Sequence, residues 1–168
     1  MKTIAAADRN WAIGKDGHLL VHISPDLKNF RKETEGKIVI LGRKTLATFP
    51  GGRPLKNRIN IILSRNPDYT VDGGYVVHSK EELQELLETE FPQYRGDDVV
   101  VIGGESIYRH LLPLCDTAVI TRIEETFEAD AWFPDLDQDP EWIRAMRGED
   151  MEWEGHIFHF DRYERVKP

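Results

Sequence analysis

The sequence predicts a three-layer α/β fold, with helices on both faces of a mostly parallel sheet, and three observations carry that reading. Short β-rich runs alternate with helical ones through most of the chain, the pattern of strands joined by crossover helices. Near the end, HIFHFDRYER alternates apolar and polar residues, which predicts a last, antiparallel edge pair. No repeat, low-complexity tract or Gly/Ser linker interrupts the 168 residues, so residues 1–168 read as a single domain.

Each element has its own justification. TIAAA at 3–7 reads as an opening strand. From Asp8 to Ser24 the chain is irregular, with glycines at 14 and 17; this exceeds the usual connection of about 4–6 residues, and such long loops tend to be functional or mobile. Ser24-Pro25-Asp26 predicts a helix start, with Ser24 as N-cap and Pro25 at the first helical position, where its missing N–H is harmless. That helix runs to about Glu35, and Gly36 stops it. KIVIL, INIILS, YVVHS, DDVVVIGG and TAVITRI read as further strands, with helices at 43–49, 80–90 and 105–112.

Composition narrows the function classes. No apolar run approaches the ~20 residues that span a bilayer, and the N-terminus lacks the 7–15-residue apolar stretch of a signal peptide, roughly as that element is defined, so a cytoplasmic protein is expected. The lone Cys115, in LLPLCDTAVI, reads as a small core residue. A net charge of −8 argues against nucleic-acid binding. The charge is uneven, however: residues 1–66 hold thirteen Lys and Arg against five Asp and Glu, net +8, and the remainder is net −16. An anionic ligand is therefore expected to be held by the first half.

Four motifs carry chemistry. In a helix beginning near Pro25, Asp26 and Phe30 share a face with Leu27 beside them, which sets an acid on an apolar wall; from this fragment alone a first-turn acid complementing the helix dipole is the simpler reading, and only wider context moves it. DDVVVIGGESIYRHLLP ends a strand in Ile102-Gly103-Gly104 and opens a helix at once, which suits close approach of a phosphate or, alternatively, tight packing alone. VILGRKTLATFP delivers Gly42-Arg43-Lys44-Thr45 to a short helix, as a pyrophosphate or ribose phosphate requires, or as an exposed basic turn. INIILSRN places Ser64 and Arg65 after Leu63 at a strand end, a hydroxyl beside a guanidinium that suits a phosphate monoester.

Taken in order, IAAAD, WAIG, the long loop, SPDLKNF, IVILGRKT, RPLKNRINIILSR, VVVIGGESIYRHLLP, ITRI and DAWFPD resemble dihydrofolate reductase over about residues 2–165. The resemblance implies an eight-stranded sheet with four helices, NADPH across the C-terminal strand ends, and hydride transfer from nicotinamide C4 to C6 of dihydrofolate with protonation of N5. It makes Asp26 the carboxylate that binds the pterin and Thr121 the hydroxyl behind it. Ile4, Ala6, Leu27, Phe30, Phe49, Leu55 and Ile102 would form the substrate pocket, with Arg58 gripping the α-carboxylate of the glutamate tail. Gly42, Arg43, Lys44, Thr45, Leu63, Ser64 and Arg65 would take the cofactor phosphates. Ala6, Ile13, Gly14, Ile102, Gly103, Gly104 and Tyr108 would line the path from nicotinamide to pyrophosphate. No metal is implied; the partners are dihydrofolate and antifolate inhibitors, and the working unit is a monomer.

One position departs from the family. Where Pro-Trp commonly precedes the acid, this chain reads His18-Leu19-Leu20-Val21-His22. Val21 has no indole N–H to hold a water beside the acid and pterin, and His22 reads either as a substitute polar group or as a solvent-facing loop residue. Two other functions compete: a riboflavin-biosynthesis-type pyrimidine reductase and a non-catalytic pterin-binding relative. The pairing of an Asp26-type acid with an Arg58-type carboxylate clamp favours folate.

Overall fold

In the computed structural model, which describes residues 1–166, the elements run β1 (Lys2–Ala7), β2 (Ala12–Gly14), α1 (Ser24–Thr34), β3 (Ile38–Gly42), α2 (Arg43–Ala47), β4 (Ile59–Leu63), β5 (Tyr75–Val77) and α3 (Lys80–Glu90). They continue with β6 (Val99–Gly103), α4 (Glu105–Leu111), β7 (Thr117–Ile123), β8 (Ala131–Trp132), β9 (Trp142–Arg147), β10 (Met151–Trp153) and β11 (His156–Arg165). The main sheet has the order β10-β11-β7-β1-β6-β3-β4-β5, parallel from β7 to β5, with β11 antiparallel to β7. β9 pairs with residues 161–165 of β11 and β10 with residues 156–158, so both lie on one flank of it. The sheet is thus eight ranks wide, as expected, with its edge rank broken in two. At the break, the Gly148 N–H donates to the carbonyl of Phe160, and a Cβ at 148 would collide with that same oxygen.

β3, β6 and β7 are buried throughout, as strands covered on both faces must be. Successive residues of these strands feed opposite layers. Ile38, Ile40, Val99 and Val101 join Leu83, Ile107 and Leu111 of α3 and α4 in one cluster. Val39, Leu41, Val100 and Ile102 join Ile4 and Leu46, with Phe30 of α1 packed against them. These two apolar layers bear out the three-layer reading. No helix among the described residues is long and apolar enough to cross a membrane.

Two details correct the sequence reading. Ser24 is not the N-cap: the amides of Asp26 and Leu27 already donate to the carbonyl of Ile23, so the helix begins one residue earlier and Ser24 makes no capping bond. The stretch from Asp8 to Ser24 is not wholly irregular, because β2 pairs with β8 across 117 positions of chain from Gly14 to Ala131. Two- and three-residue strands show no period of their own, so only the tertiary pairing reveals them. Gly36 does end α1, at φ 77°, where a side chain would be strained. Cys115 is fully buried, and burial pushes its thiol up to about 12, fitting a core residue rather than a nucleophile.

Candidate active site

α1 lies across the face of the sheet that carries Ile4, Ala6 and Thr121. Ala6 and Thr121 are register partners on β1 and β7, side by side on that face. Over them hangs Asp26, whose Oδ1 accepts a 2.6 Å hydrogen bond from the Thr121 hydroxyl. Among the described residues no Lys, Arg or His lies within ion-pair distance of it. Burial raises the Asp26 carboxyl above its ordinary range, and the Thr121 hydroxyl opposes that in part. Phe30, Phe49 and Leu55 pack on the cluster of Ile4, Val119 and Ile102, making an apolar wall, while Leu27 is exposed on the next position of α1. The buried Tyr108 hydroxyl is 2.7 Å from the carbonyl of Ile4 and 2.9 Å from that of Ile102, tying α4 to two adjacent strands. Burial, and then the charge of Asp26, push its phenol well above the usual range.

At the far end of α1, Arg58 donates from Nε to Thr34 Oγ1 at 3.1 Å and from Nη1 to the carbonyl of Lys56 at 2.7 Å. Partial burial and the neighbouring Arg31 depress its pKa, with Glu35 opposing. Two donors are used to aim the guanidinium, leaving the Nη2 end unpartnered among the described residues. Leu55 is held from both sides by Asn60, which accepts from its N–H at 3.0 Å and donates to its carbonyl at 2.9 Å.

The three anion-suited strand ends meet at one edge. Gly42 is the register partner of Leu63, and Leu41 that of Gly103, so β3, β4 and β6 finish together. The glycines permit this convergence. A Cβ on Gly42 would come within 2.9 Å of Ile107 Cγ1, and one on Gly104 within 3.2 Å of Thr45 Oγ1. Gly103 has φ 124°, with the Tyr108 ring against it. Arg43, Lys44 and Arg65 surround the edge without a carboxylate partner among the described residues. Ser64 is buried, and its hydroxyl accepts the Asn66 N–H at 3.3 Å. Cations and hydroxyls with glycine-thinned backbone form a donor set that fits the phosphates of a dinucleotide. Ile13 and Gly14 lie on β2, against β1, and are latched from the other side: Asp130 N donates to Gly14 O, and Asp130 Oδ2 accepts from Asp16 N, both at 3.0 Å.

The Dihydrofolate reductase family profile matches residues 1–165. The chain belongs to the dihydrofolate reductase family. It is 35% identical to the dihydrofolate reductase of Bacillus subtilis over 96% of this chain and 92% of that protein. It is 34% identical to that of Staphylococcus haemolyticus over 98% and 95%. A dihydrofolate reductase from Enterococcus faecalis, solved in complex with NADP(H) and RAB-propyl, superposes with a TM-score of 0.83 at 35% identity, covering 99% of this chain and 96% of that one.

Most residues the resemblance singles out fall around Asp26 or at the strand ends, with Arg58 at the far end of α1 and Ile13 and Gly14 on β2. Val21, at the tryptophan position, is half-buried against Ile23, Ile123 and Phe158, and His22 is exposed. Asn60 and Asp130, which brace Leu55 and Gly14, were missed. A single polar residue inside the apolar run INIIL was a usable signal for Asn60; nothing local marked Asp130.

Proposed function

We propose that this chain carries out the reaction of its family, reducing 7,8-dihydrofolate to 5,6,7,8-tetrahydrofolate with NADPH, as one domain in which Asp26 and Thr121 act on the pterin. The observation that carries the reading is the 2.6 Å bond from Thr121 to a carboxylate otherwise set among apolar residues. When bound, NADPH supplies the hydride that C6 receives.

The chain's own residues do the rest. Asp26 accepts from the pterin's amino group and ring nitrogen, and Thr121 fixes which carboxylate oxygen is left free for that contact. With no cation beside it, the Asp26 charge acts on the bound pterin and raises the basicity of N5. Reduction at C6 needs that proton, since hydride addition to an unprotonated imine would leave charge on nitrogen. Ile4, Ala6, Phe30, Phe49, Leu55 and Ile102 exclude water, with Leu27 closing over the ligand. Arg58, aimed by Thr34 and Lys56, takes the α-carboxylate bidentately. Ile13, Gly14, Gly103, Gly104 and Tyr108 border the nicotinamide end. Gly42, Arg43, Lys44, Thr45, Leu63, Ser64 and Arg65 hold the phosphates, Ser64 and Arg65 reading the 2′-phosphate. The free buried thiol of Cys115 suits the cytoplasm, and a monomer is the working unit expected of the family.

NADPH oxidation that depends on dihydrofolate and is blocked by an antifolate tests this reading. Binding of both ligands without turnover would sink it in favour of a non-catalytic pterin-binding relative.

A further inference from the structure

Arg43 is a cation in an acidic protein, yet no carboxylate lies within 4.0 Å of it among the described residues, and no hydrogen bond holds its guanidinium there. What it has instead is Tyr69, over whose ring the guanidinium carbon sits 6.0 Å from the centroid. Tyr69 is itself fixed. Its ring packs on the cluster containing Leu41, Leu46 and Ile62, and its N–H donates to the carbonyl of Asn66 at 3.1 Å. Asn66 in turn accepts from Asp68 N through Oδ1 and donates its own N–H to Ser64 Oγ. One short turn therefore starts at Ser64 and ends in a ring beneath Arg43, joining two strand ends that carry candidate phosphate ligands.

The choice of partner matters chemically. A carboxylate would occupy the in-plane N–H donors of a guanidinium and compete with an incoming phosphate. An aromatic face attracts the cation through the ring quadrupole and leaves every in-plane donor free. It also narrows the side chain's rotamers before the ligand arrives, which strengthens binding by preorganisation.

We propose that Tyr69 is a positioning residue for cofactor selection: it holds Arg43 oriented and unpaired for the phosphate-bearing nicotinamide dinucleotide. This rests on the reading of Arg43 as a ligand of the ribose 2′-phosphate, beside Ser64 and Arg65. The test measures dissociation constants for NADPH and NADH by fluorescence titration in Tyr69→Leu, Tyr69→Phe and Arg43→Ala chains, and in the Tyr69→Leu/Arg43→Ala double variant. Leucine keeps the apolar packing and removes the π face; phenylalanine keeps the face and removes the hydroxyl. Tyr69→Leu is expected to weaken NADPH about two- to fivefold, the range for an exposed cation–π contact, with NADH unchanged. Tyr69→Phe should match the unsubstituted chain, and Tyr69→Leu should have no effect once Arg43 is alanine. Equal losses for both dinucleotides, or the same loss with and without Arg43, overturn the proposal. An Arg43→Ala chain whose preference for NADPH is unchanged overturns the underlying reading and the inference with it.

Discussion

The two halves of this chain treat charge in opposite ways. Of the thirteen Lys and Arg in residues 1–66, only Lys2 and Arg9 face a carboxylate within 4.0 Å among the described residues. On the β7–β11 side, Arg122, Arg144, Arg147, Arg162 and Arg165 all do. Its centre is His159, a buried ring with Nδ1 2.6 Å from Asp161 and Nε2 2.7 Å from Glu124, extended by Arg144 at one end and Arg9 at the other. The charged side chains assigned to the site, Asp26, Arg43, Lys44, Arg58 and Arg65, stand without an ion-pair partner among the described residues, whereas the cations from β7 to β11 are all paired. Asp26 and Glu124 show the contrast within one fold. The first has a single hydroxyl donor and an elevated pKa from burial; the second is pulled below its usual range, chiefly by His159.

Substitutions can break this contrast at graded strength. The largest effect is expected for Asp26→Asn, which should cut turnover of dihydrofolate by about 10²- to 10⁴-fold at neutral pH while leaving the NADPH dissociation constant intact. Near-normal steady-state turnover would remove Asp26 from the chemistry. Arg58→Ala should raise KM for dihydrofolate by about 10- to 100-fold with kcat little changed, the loss of a charge-assisted contact made equally in ground and transition states. If kcat falls instead, Arg58 is not a simple tail clamp. Arg65→Ala should weaken NADPH about tenfold and spare NADH, measured by titration of each; equal losses would mean that it does not read the 2′-phosphate.

The smallest effects concern stability against pH, and their signs differ. The folded pKa of Asp26 lies above its unfolded value near 3.8, so its contribution to stability falls as pH rises through that value toward the folded pKa. Asp26→Asn should therefore unfold at a higher temperature than the unsubstituted chain at pH 7, with the gap closing below that window. Glu124 is depressed below 4.5, so it adds stability above that value and loses it as pH falls through its folded pKa. Glu124→Gln should melt lower at pH 7, with that gap also closing in acid. Melting curves across pH that showed the same sign for both would contradict the division between bare and paired acids.

Much of the molecule was legible before any coordinates. β1, β3, β4, β5, β6 and β7 were read from apolar runs and β11 from its alternation, whereas β9 and β10 were not read; α3 was placed to the residue at 80–90, and Gly36 was identified as the stop of α1. These are local properties: periodicity, β-branching and φ preference are written in neighbouring residues. The start of α1 was off by one, because Ser-Pro reads as a cap whenever the preceding carbonyl's partners are unknown. β2 and β8 were unreadable for the same reason that short strands always are.

For the site, the chemical inventory is written in the sequence: an acid on an apolar helix face, glycine-bearing strand ends, and a net positive first half that holds every cation assigned to a ligand. The sequence also settled the family, since motif order and spacing survive without geometry. Which of those groups stand alone depends on the folded arrangement. That Asp26 faces Thr121 across 95 positions, that Arg43 rests on Tyr69 instead of a carboxylate, and that Glu124 is claimed by His159 depend on sheet register and on loops meeting in space. Electrostatic character belongs to neighbourhoods within a few ångströms, and in a sheet those neighbours are drawn from distant parts of the chain.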